Sequence, residues 1–128
     1  MLHKLLDQYL SDIDRTVRRI EGGYVERYDE EILATERVNL RIRIRFSNGF
    51  LLELNDAILM ESGHIKHLCY RYHLQDGENK LVFRYDNTPH FPNIATFPNH
   101  KHLLDKTISC DEPSIVDVIE EAKQLTVS

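Results

Sequence analysis

Residues 39–46 read NLRIRIRF, and apolar side chains alternate strictly with polar ones throughout this segment. Successive side chains of a β-strand point to opposite faces of a sheet, so a period of two predicts a strand with one apolar and one polar face. The apolar face comprises Leu40, Ile42, Ile44 and Phe46, and the polar face carries Arg41, Arg43 and Arg45. An antiparallel sheet with one face open to solvent accommodates this pattern.

The strand is followed by a turn signal, Ser47-Asn48-Gly49, and by a second apolar segment. A two-residue loop would mix apolar and charged faces, whereas a three-residue loop with Gly49 in the left-handed conformation keeps the apolar side chains together. The pairs predicted by this register are Phe46 with Phe50, Ile44 with Leu52, and Arg43 with Glu53.

A second hairpin is predicted in residues 64–87, with its turn at residues 76–79. This turn places Gln75 opposite Lys80 and Arg71 opposite Arg84. Its apolar face comprises Leu68, Tyr70, Tyr72, Leu74, Leu81, Phe83 and Tyr85. The other face gathers Arg71, His73, Arg84 and Asp86. We interpret His64, Lys66 and His67, at the start of the hairpin, as surface residues.

Both ends of the chain show helical periodicity. The N-terminal stripe runs from Leu2 to Ile13, and we place the helix end near residues 12–14 because Gly22 and Gly23 disfavour its continuation. Residues 15–31 are then expected to form two short strands around these glycines. At the other end, residues 111–113 signal a helix start, and the apolar stripe runs from Ile115 to Leu125. The fold predicted is α+β: an antiparallel β-sheet packed on one face by N- and C-terminal helices, with the other face open.

Length and charge set broad limits. The 128 residues predict a single domain, and the net charge of −5 is unevenly distributed. Residues 1–35 hold 5 basic and 8 acidic side chains, residues 36–106 hold 10 and 8, and residues 107–128 hold 1 and 5. The basic middle of the chain therefore leaves open a nucleic-acid partner.

No apolar run approaches the roughly 18 residues of a membrane span, which predicts a cytoplasmic protein without a membrane partner. Cys69 and Cys110 are expected to be buried thiols.

The segment HFPNIATFPNHKH, residues 90–102, concentrates groups that titrate near neutral pH. Its prolines predict an extended, stiff connection over residues 88–99. The segment follows directly after the predicted hairpin that carries His73, Arg84 and Asp86. This order suggests that these residues form one site with His90, His100 and His102.

Two chemistries fit this set of residues. His100 and His102, with His90 or Asp86, could bind zinc and leave one position for water. Alternatively, imidazoles could move protons at an RNA phosphodiester while Arg84 and Lys101 hold the phosphate and Asp86 orients a histidine. The arginines at positions 41, 43 and 45 fit either a solvated strand face or RNA contact.

Residues 70–103 resemble the signature of the TumE-like toxin family of toxin-antitoxin systems. The motif R-x-D-N-x-P-H corresponds to Arg84, Asp86, Asn87, Pro89 and His90. The motif F-P-x-H-K-H corresponds to Phe97, Pro98, His100, Lys101 and His102. Many relatives carry a histidine where this chain has Asn99. The resemblance implies a growth-inhibiting toxin, a cognate antitoxin partner and, as usual for small toxins of this kind, ribonuclease activity.

We therefore predict a toxin that is an endoribonuclease acting on RNA without a metal or other cofactor. The predicted catalytic residues are His90, His100, His102, Asp86, Arg84 and Lys101, and the predicted substrate contacts are His73, Arg71, Arg41, Arg43 and Arg45. The alternatives are a zinc- or manganese-dependent nuclease and a non-enzymatic toxin that sequesters its target. A homodimer is a further open alternative.

Overall fold

The computed structural model describes residues 1–89 and 94–126. Its elements are α1 (Lys4–Arg18), β1 (Gly23–Ala34), β2 (Arg37–Phe46), β3 (Leu51–Glu61), β4 (His64–Gln75), β5 (Leu81–Asp86), β6 (His100–His102), β7 (Thr107–Ser109) and α2 (Ile115–Thr126). Within the described residues, the strands form one sheet in sequence order, and each pairs antiparallel with the next. This arrangement confirms the predicted α+β class.

Both helices contribute to a core on one face of the sheet. α1 buries Leu6, Leu10, Ile13 and Val17, and α2 buries Ile115, Val118, Ile119 and Ala122. They join the apolar faces of β2, β3 and β4 in one cluster. Full burial of each Leu, Ile or Val side chain contributes roughly 1.5–3 kcal/mol. We call the face that meets the helices the helix face and the opposite one the outer face.

The N-terminal helix is longer than the sequence predicted. It continues to Arg18 because Val17 extends the buried stripe, so the predicted end near residues 12–14 is wrong. A single strand, β1, replaces the two short strands expected around the glycines. Gly22 has φ +75°, and a Cβ on Gly23 would lie 2.9 Å from the Arg45 carbonyl oxygen. The glycines therefore permit the sharp entry into β1 rather than a hairpin.

The first predicted hairpin is confirmed. Ile44 pairs with Leu52 and Arg43 with Glu53. The Phe46 N–H donates to the Phe50 carbonyl at 2.8 Å. Gly49 has φ +93°, as a three-residue loop of this kind requires.

The second predicted register is wrong, although its assignment of faces is right from Tyr70 onward. The turn places Gln75 opposite Leu81 rather than Lys80, since the Asp76 N–H donates to the Lys80 carbonyl, and an irregularity between Leu74 and Gln75 shifts the pairing by one more residue. Arg71 consequently lies opposite Asp86 rather than Arg84, and His73 lies opposite Arg84. A bulge inserts one unpaired residue and shifts all later pairs, which the alternation pattern alone does not reveal.

A second irregularity, opposite Ala57 and Ile58, changes the start of β4. It leaves Leu68 43% exposed and Cys69 exposed, whereas the sequence predicted both on the inside. It also turns His67 toward the helix face, where Nδ1 lies 2.8 Å from Oδ1 of the buried Asp56. His67 is therefore not the surface residue that we expected.

Asp56 is the centre of a polar group beneath the helices. The hydroxyls of Tyr72 and Tyr9 donate to its Oδ2 at 2.9 and 3.3 Å. We call Asp56, His67, Tyr9 and Tyr72 the helix-face cluster. These donors surround the carboxylate and thereby offset the cost of burying it.

The connection before β6 turns rather than extends. The Phe97 N–H donates to the Ile94 carbonyl oxygen at 3.0 Å, and the Asn99 N–H donates to the Thr96 carbonyl oxygen at 2.9 Å. The extended conformation predicted for residues 88–99 is thus wrong over residues 94–99, and residues 90–93 lie outside the described ranges. Among the described residues, no helix is long and apolar enough to cross a membrane.

Candidate functional site

Strand β6 brings two histidines to the carboxylate at the end of β5. His100 lies directly opposite Asp86, and His102 lies opposite Arg84. Nε2 of His100 is 2.7 Å from Oδ1 of Asp86, and Nε2 of His102 is 3.5 Å from Oδ2. The two Nε2 atoms are 3.0 Å apart. We call Asp86, His100 and His102 the outer-face cluster.

The other ring nitrogens of both histidines have fixed partners. Nδ1 of His100 lies 2.9 Å from the Pro98 carbonyl oxygen, which can only accept, so Nδ1 donates. Nδ1 of His102 lies 3.1 Å from Oγ1 of Thr107 on β7. These contacts hold both Nε2 atoms toward Asp86. His100 is 1% exposed, whereas His102 is only half-buried and thus reaches solvent.

The cluster could also hold a metal ion. One ligand atom from each of its three residues lies within 4.8 Å of the other two. Ligands bonded at about 2.0–2.2 Å in tetrahedral geometry stand about 3.3–3.6 Å apart. The 2.7 Å between Asp86 Oδ1 and His100 Nε2 and the 3.0 Å between the two Nε2 atoms would therefore widen slightly around an ion. The contacts of Nδ1 with Pro98 and Thr107 are the kind that orients ligating histidines.

Arginine side chains stand beside the outer-face cluster. Nε of Arg84 donates to Nδ1 of His73 at 3.3 Å, and Nε2 of His73 lies 3.0 Å from Oε1 of Gln75. Burial, together with the charges of Arg71 and Arg84, lowers the pKa of His73. Burial and the charge of Arg71 also lower the pKa of Arg84. A neutral His73 acting as acceptor therefore holds Arg84 in place.

Two predicted arginines lie elsewhere and have acidic partners. Nε of Arg43 and Nε of Arg45 lie 2.8 and 3.3 Å from the carboxylate of Glu26 on β1. They join the first two strands, which lie three and four strands away from Asp86 on β5. Arg41 instead lines a cleft on the outer face with Arg71.

Lys101 does not reach the cluster. It pairs with Tyr85 in the sheet, and its Nζ lies 2.7 Å from Oε2 of Glu121 on α2. The same ammonium lies 4.7 Å from the ring centroid of Tyr85 and 5.3 Å from that of Phe83. Burial opposes its charge, but hydrogen bonds with Glu121 and Tyr85 outweigh this effect and raise the pKa of Lys101. Lys101 thus joins α2 to the helix face.

Sequence reasoning missed several residues that position the site. Thr107 fixes His102, and only the pairing of β6 with β7 reveals it. Oδ1 of Asn99 accepts from the hydroxyl of Tyr70 at 2.8 Å, which gives this position a structural role. His90, predicted to be catalytic, lies outside the described residues.

The family comparison covers almost the entire chain. The family model described as Toxin TumE matches residues 10–126. The chain belongs to the Toxin TumE family. The predicted family resemblance is thereby confirmed. No curated protein and no solved structure matches the chain significantly.

Membership in the TumE family indicates a toxin and implies an antitoxin partner. The family motif supplies Arg84 and Asp86 and the residues that support them. Oδ1 of Asn87 accepts from the Tyr70 N–H at 3.0 Å, which anchors the end of β5 to β4. The motif thus contains two polar side chains of the site, Arg84 and Asp86, and also Asn87, which anchors the strand that carries them.

Proposed function

We propose that this toxin is an endoribonuclease that cleaves RNA at the outer-face cluster. The observation that carries the proposal is the convergence of Asp86 Oδ1, His100 Nε2 and His102 Nε2 within hydrogen-bonding range, beside Arg84. Groups that accept and donate protons next to a guanidinium are what phosphodiester cleavage requires.

His102 is the base in this mechanism because it is the histidine that reaches solvent. It takes the proton from a ribose 2′-hydroxyl as the 2′ oxygen forms a bond to phosphorus. The bond from phosphorus to the 5′ oxygen breaks, and a second imidazole protonates that oxygen. His90 is the candidate for this acid from the sequence, whereas His100, 1% exposed and 3.0 Å from His102, orients the base. The products are a 2′,3′-cyclic phosphate and a 5′-hydroxyl.

Arg84 supplies positive charge for the phosphate that is cleaved. It lies opposite His102, so its guanidinium flanks the proposed reaction centre. Guanidinium donors match phosphate oxygens in geometry and charge, and they stabilise the charge that builds up on them during cleavage. Lys101, predicted for this role, has no part in the proposed mechanism because it pairs with Glu121.

The test is to incubate the purified protein with RNA in excess chelator. Unchanged cleavage that leaves 2′,3′-cyclic phosphate ends supports the acid-base mechanism. His102→Asn should abolish cleavage, while His64→Asn, at an exposed position outside the site, should not. Cleavage by His102→Asn at the normal rate would exclude His102 as the base.

A metal-dependent nuclease is the second candidate, favoured by the spacing of the three ligand atoms. Asp86, His100 and His102 would hold the ion, which would activate a water molecule for attack on phosphorus. In that case chelator removes cleavage, and zinc or manganese restores it. The ends produced would then be linear phosphates rather than cyclic ones.

A toxin that only sequesters its target is distinguished by growth inhibition. If His102→Asn folds normally, has no nuclease activity and still inhibits growth, toxicity does not require catalysis. The same variant suits a search for the antitoxin, because it can be produced without killing the host. We propose that the antitoxin covers the outer face, where it would block access to His102.

A further inference from the structure

The outer face carries a row of directly opposed residues that leads away from the cluster. Arg41 lies opposite Asn55, Asn55 opposite Arg71, Arg71 opposite Asp86, and Asp86 opposite His100. Neighbouring strands stand about 4.8 Å apart, so Arg41 and Arg71 begin about 10 Å from each other. Arg71 begins about the same distance from His100. The row therefore extends the proposed reaction centre across three further strands, β4, β3 and β2.

Three members of this row have no polar side-chain partner. Within the described part of the chain, neither Arg41, Asn55 nor Arg71 forms a side-chain hydrogen bond or an ion pair. Asp29 lies opposite Arg41 but pairs with Arg27 instead. The neighbouring arginines of β2, Arg43 and Arg45, both pair with Glu26, whereas among the described residues Arg41 and Arg71 have no such acidic partner. Their charge is available to an anion.

A cleft of about 340 Å³ lies around these three side chains. Its floor includes Ala57 and Cys69, which oppose each other in the next row of the outer face. Both side chains are small, so the cleft stays open between longer side chains on either side. It has room for one nucleotide unit rather than only for an ion.

We propose that Arg41, Asn55 and Arg71 form a subsite for the RNA strand adjacent to the cleavage point. Arg71 and Arg41 hold phosphates on the side of the chain that leads away from His102, and the Asn55 amide contacts the nucleotide between them. This proposal rests on the proposed ribonuclease function, and it adds the path of the RNA strand across the outer face. The amide offers both a donor and an acceptor, so it can favour some bases over others.

Cys69 provides a direct probe of occupancy. It is exposed in the cleft, whereas burial raises the pKa of the less exposed Cys110 thiol. The full chain is alkylated with N-ethylmaleimide, with and without a single-stranded RNA that carries 2′-O-methyl groups and cannot be cleaved. Mass spectrometry follows each cysteine separately. We expect the RNA to slow alkylation of Cys69 at least several-fold and to leave Cys110 unchanged.

The salt dependence of binding counts the phosphate contacts. Each contact with a single strand contributes about 0.7 to the slope of log affinity against log salt concentration. The variant Arg41→Ala/Arg71→Ala should therefore reduce the slope by about 1.4 and weaken binding roughly tenfold or more. Arg19→Ala, at an exposed position at the end of α1, is the control and should change neither. Circular dichroism checks that all variants are folded.

The outcomes separate this subsite from the nuclease proposal. Protection of Cys69 and the loss of slope, without any cleavage of ordinary RNA, support the subsite and overturn the nuclease. Cleavage with an unchanged slope in the double variant and no protection of Cys69 overturns the subsite alone. Absence of both RNA binding and cleavage overturns both. With the subsite supported, Asn55→Ala should alter the base preference next to the cut while leaving the salt slope unchanged.

Discussion

The sheet carries a histidine-carboxylate cluster on each face, and the two differ in what surrounds them. In the helix-face cluster, Asp56 accepts from His67 and two tyrosine hydroxyls beneath the helices. In the outer-face cluster, Asp86 meets two imidazoles beside arginines. Similar residue types at similar distances therefore belong to the packing beneath the helices on the helix face. On the outer face they present a half-buried imidazole to solvent.

The difference teaches that proximity of histidine and aspartate does not by itself indicate a site. The hydroxyls of Tyr9 and Tyr72 occupy the Asp56 carboxylate, and burial raises the pKa of both tyrosines. Neither hydroxyl is suited to give up its proton. On the outer face, a half-buried histidine lies next to arginine side chains, so an anionic substrate has both a reactive group and positive charge to meet.

The largest expected effect is on activity at the outer face. His102→Ala should reduce RNA cleavage about 100- to 10,000-fold because general acid-base catalysis contributes that much. Its unfolding free energy should change little, since the side chain is only half-buried. Cleavage rates and urea unfolding measure the two effects. If stability falls sharply while the folded fraction remains active, the two faces do not differ as we describe.

The converse is expected on the helix face. His67→Ala leaves the buried Asp56 without its imidazole partner and should lower the unfolding free energy by about 3 kcal/mol. Cleavage per folded molecule should be unchanged. His64→Ala, in the same strand but exposed, is the matched control and should stay within about 0.5 kcal/mol. A large loss of cleavage in folded His67→Ala would give the helix-face cluster a functional role.

A smaller effect follows from the proton on His67. Burial alone would lower the pKa of His67, but the hydrogen bond with Asp56 and the charges of Asp56 and Glu112 outweigh it and raise this pKa. A raised pKa in the folded state means that its contribution to stability is complete below the ordinary value near 6.5 and disappears as the pH rises through the folded-state value.

The unfolding free energy of the wild type should therefore decrease as the pH rises above about 6.5. The groups that face His67 are Asp56 on β3, Glu112 before α2, Tyr9 on α1 and Tyr70 on β4. Urea unfolding at a series of pH values measures the effect, and His67→Ala should flatten the profile in this range. An equally steep profile in the variant would assign the titration to another group.

Much of the fold follows from periodicity, because burial of one sheet face imposes it. Leu40, Ile42 and Ile44 alternate and are all buried as predicted. The irregularities in the pairing of β4 with β3 and β5 could not be predicted, since an extra residue in a ladder leaves no mark in the alternation of short segments. One of them turned His67 inward and exposed Leu68.

The candidate site, like the fold, could be predicted from the sequence only in part. The family motif and the spacing of His100 and His102 indicated the outer-face cluster, but its support from Thr107 depends on a tertiary pairing. Lys101 is a different case, because the necessary signal was present. If residues 100 and 102 share one face of a strand, residue 101 must point to the other. The period of two thus already excluded Lys101 from the cluster.

This reassignment of Lys101 gives the smallest predicted effect. Lys101→Met keeps an apolar stem against the rings of Phe83 and Tyr85 but removes the ion pair with Glu121. Because the ion pair is partly exposed, the loss of unfolding free energy should be about 1 kcal/mol or less, and cleavage should be unchanged. Lys106→Met, at an exposed position nearby, is the control for removing one positive charge. If Lys101→Met instead lost most of its cleavage at unchanged stability, the ammonium would have to leave Glu121 during the reaction. The two faces of the sheet would then be coupled through β6, and the separation between packing and chemistry drawn above would not hold.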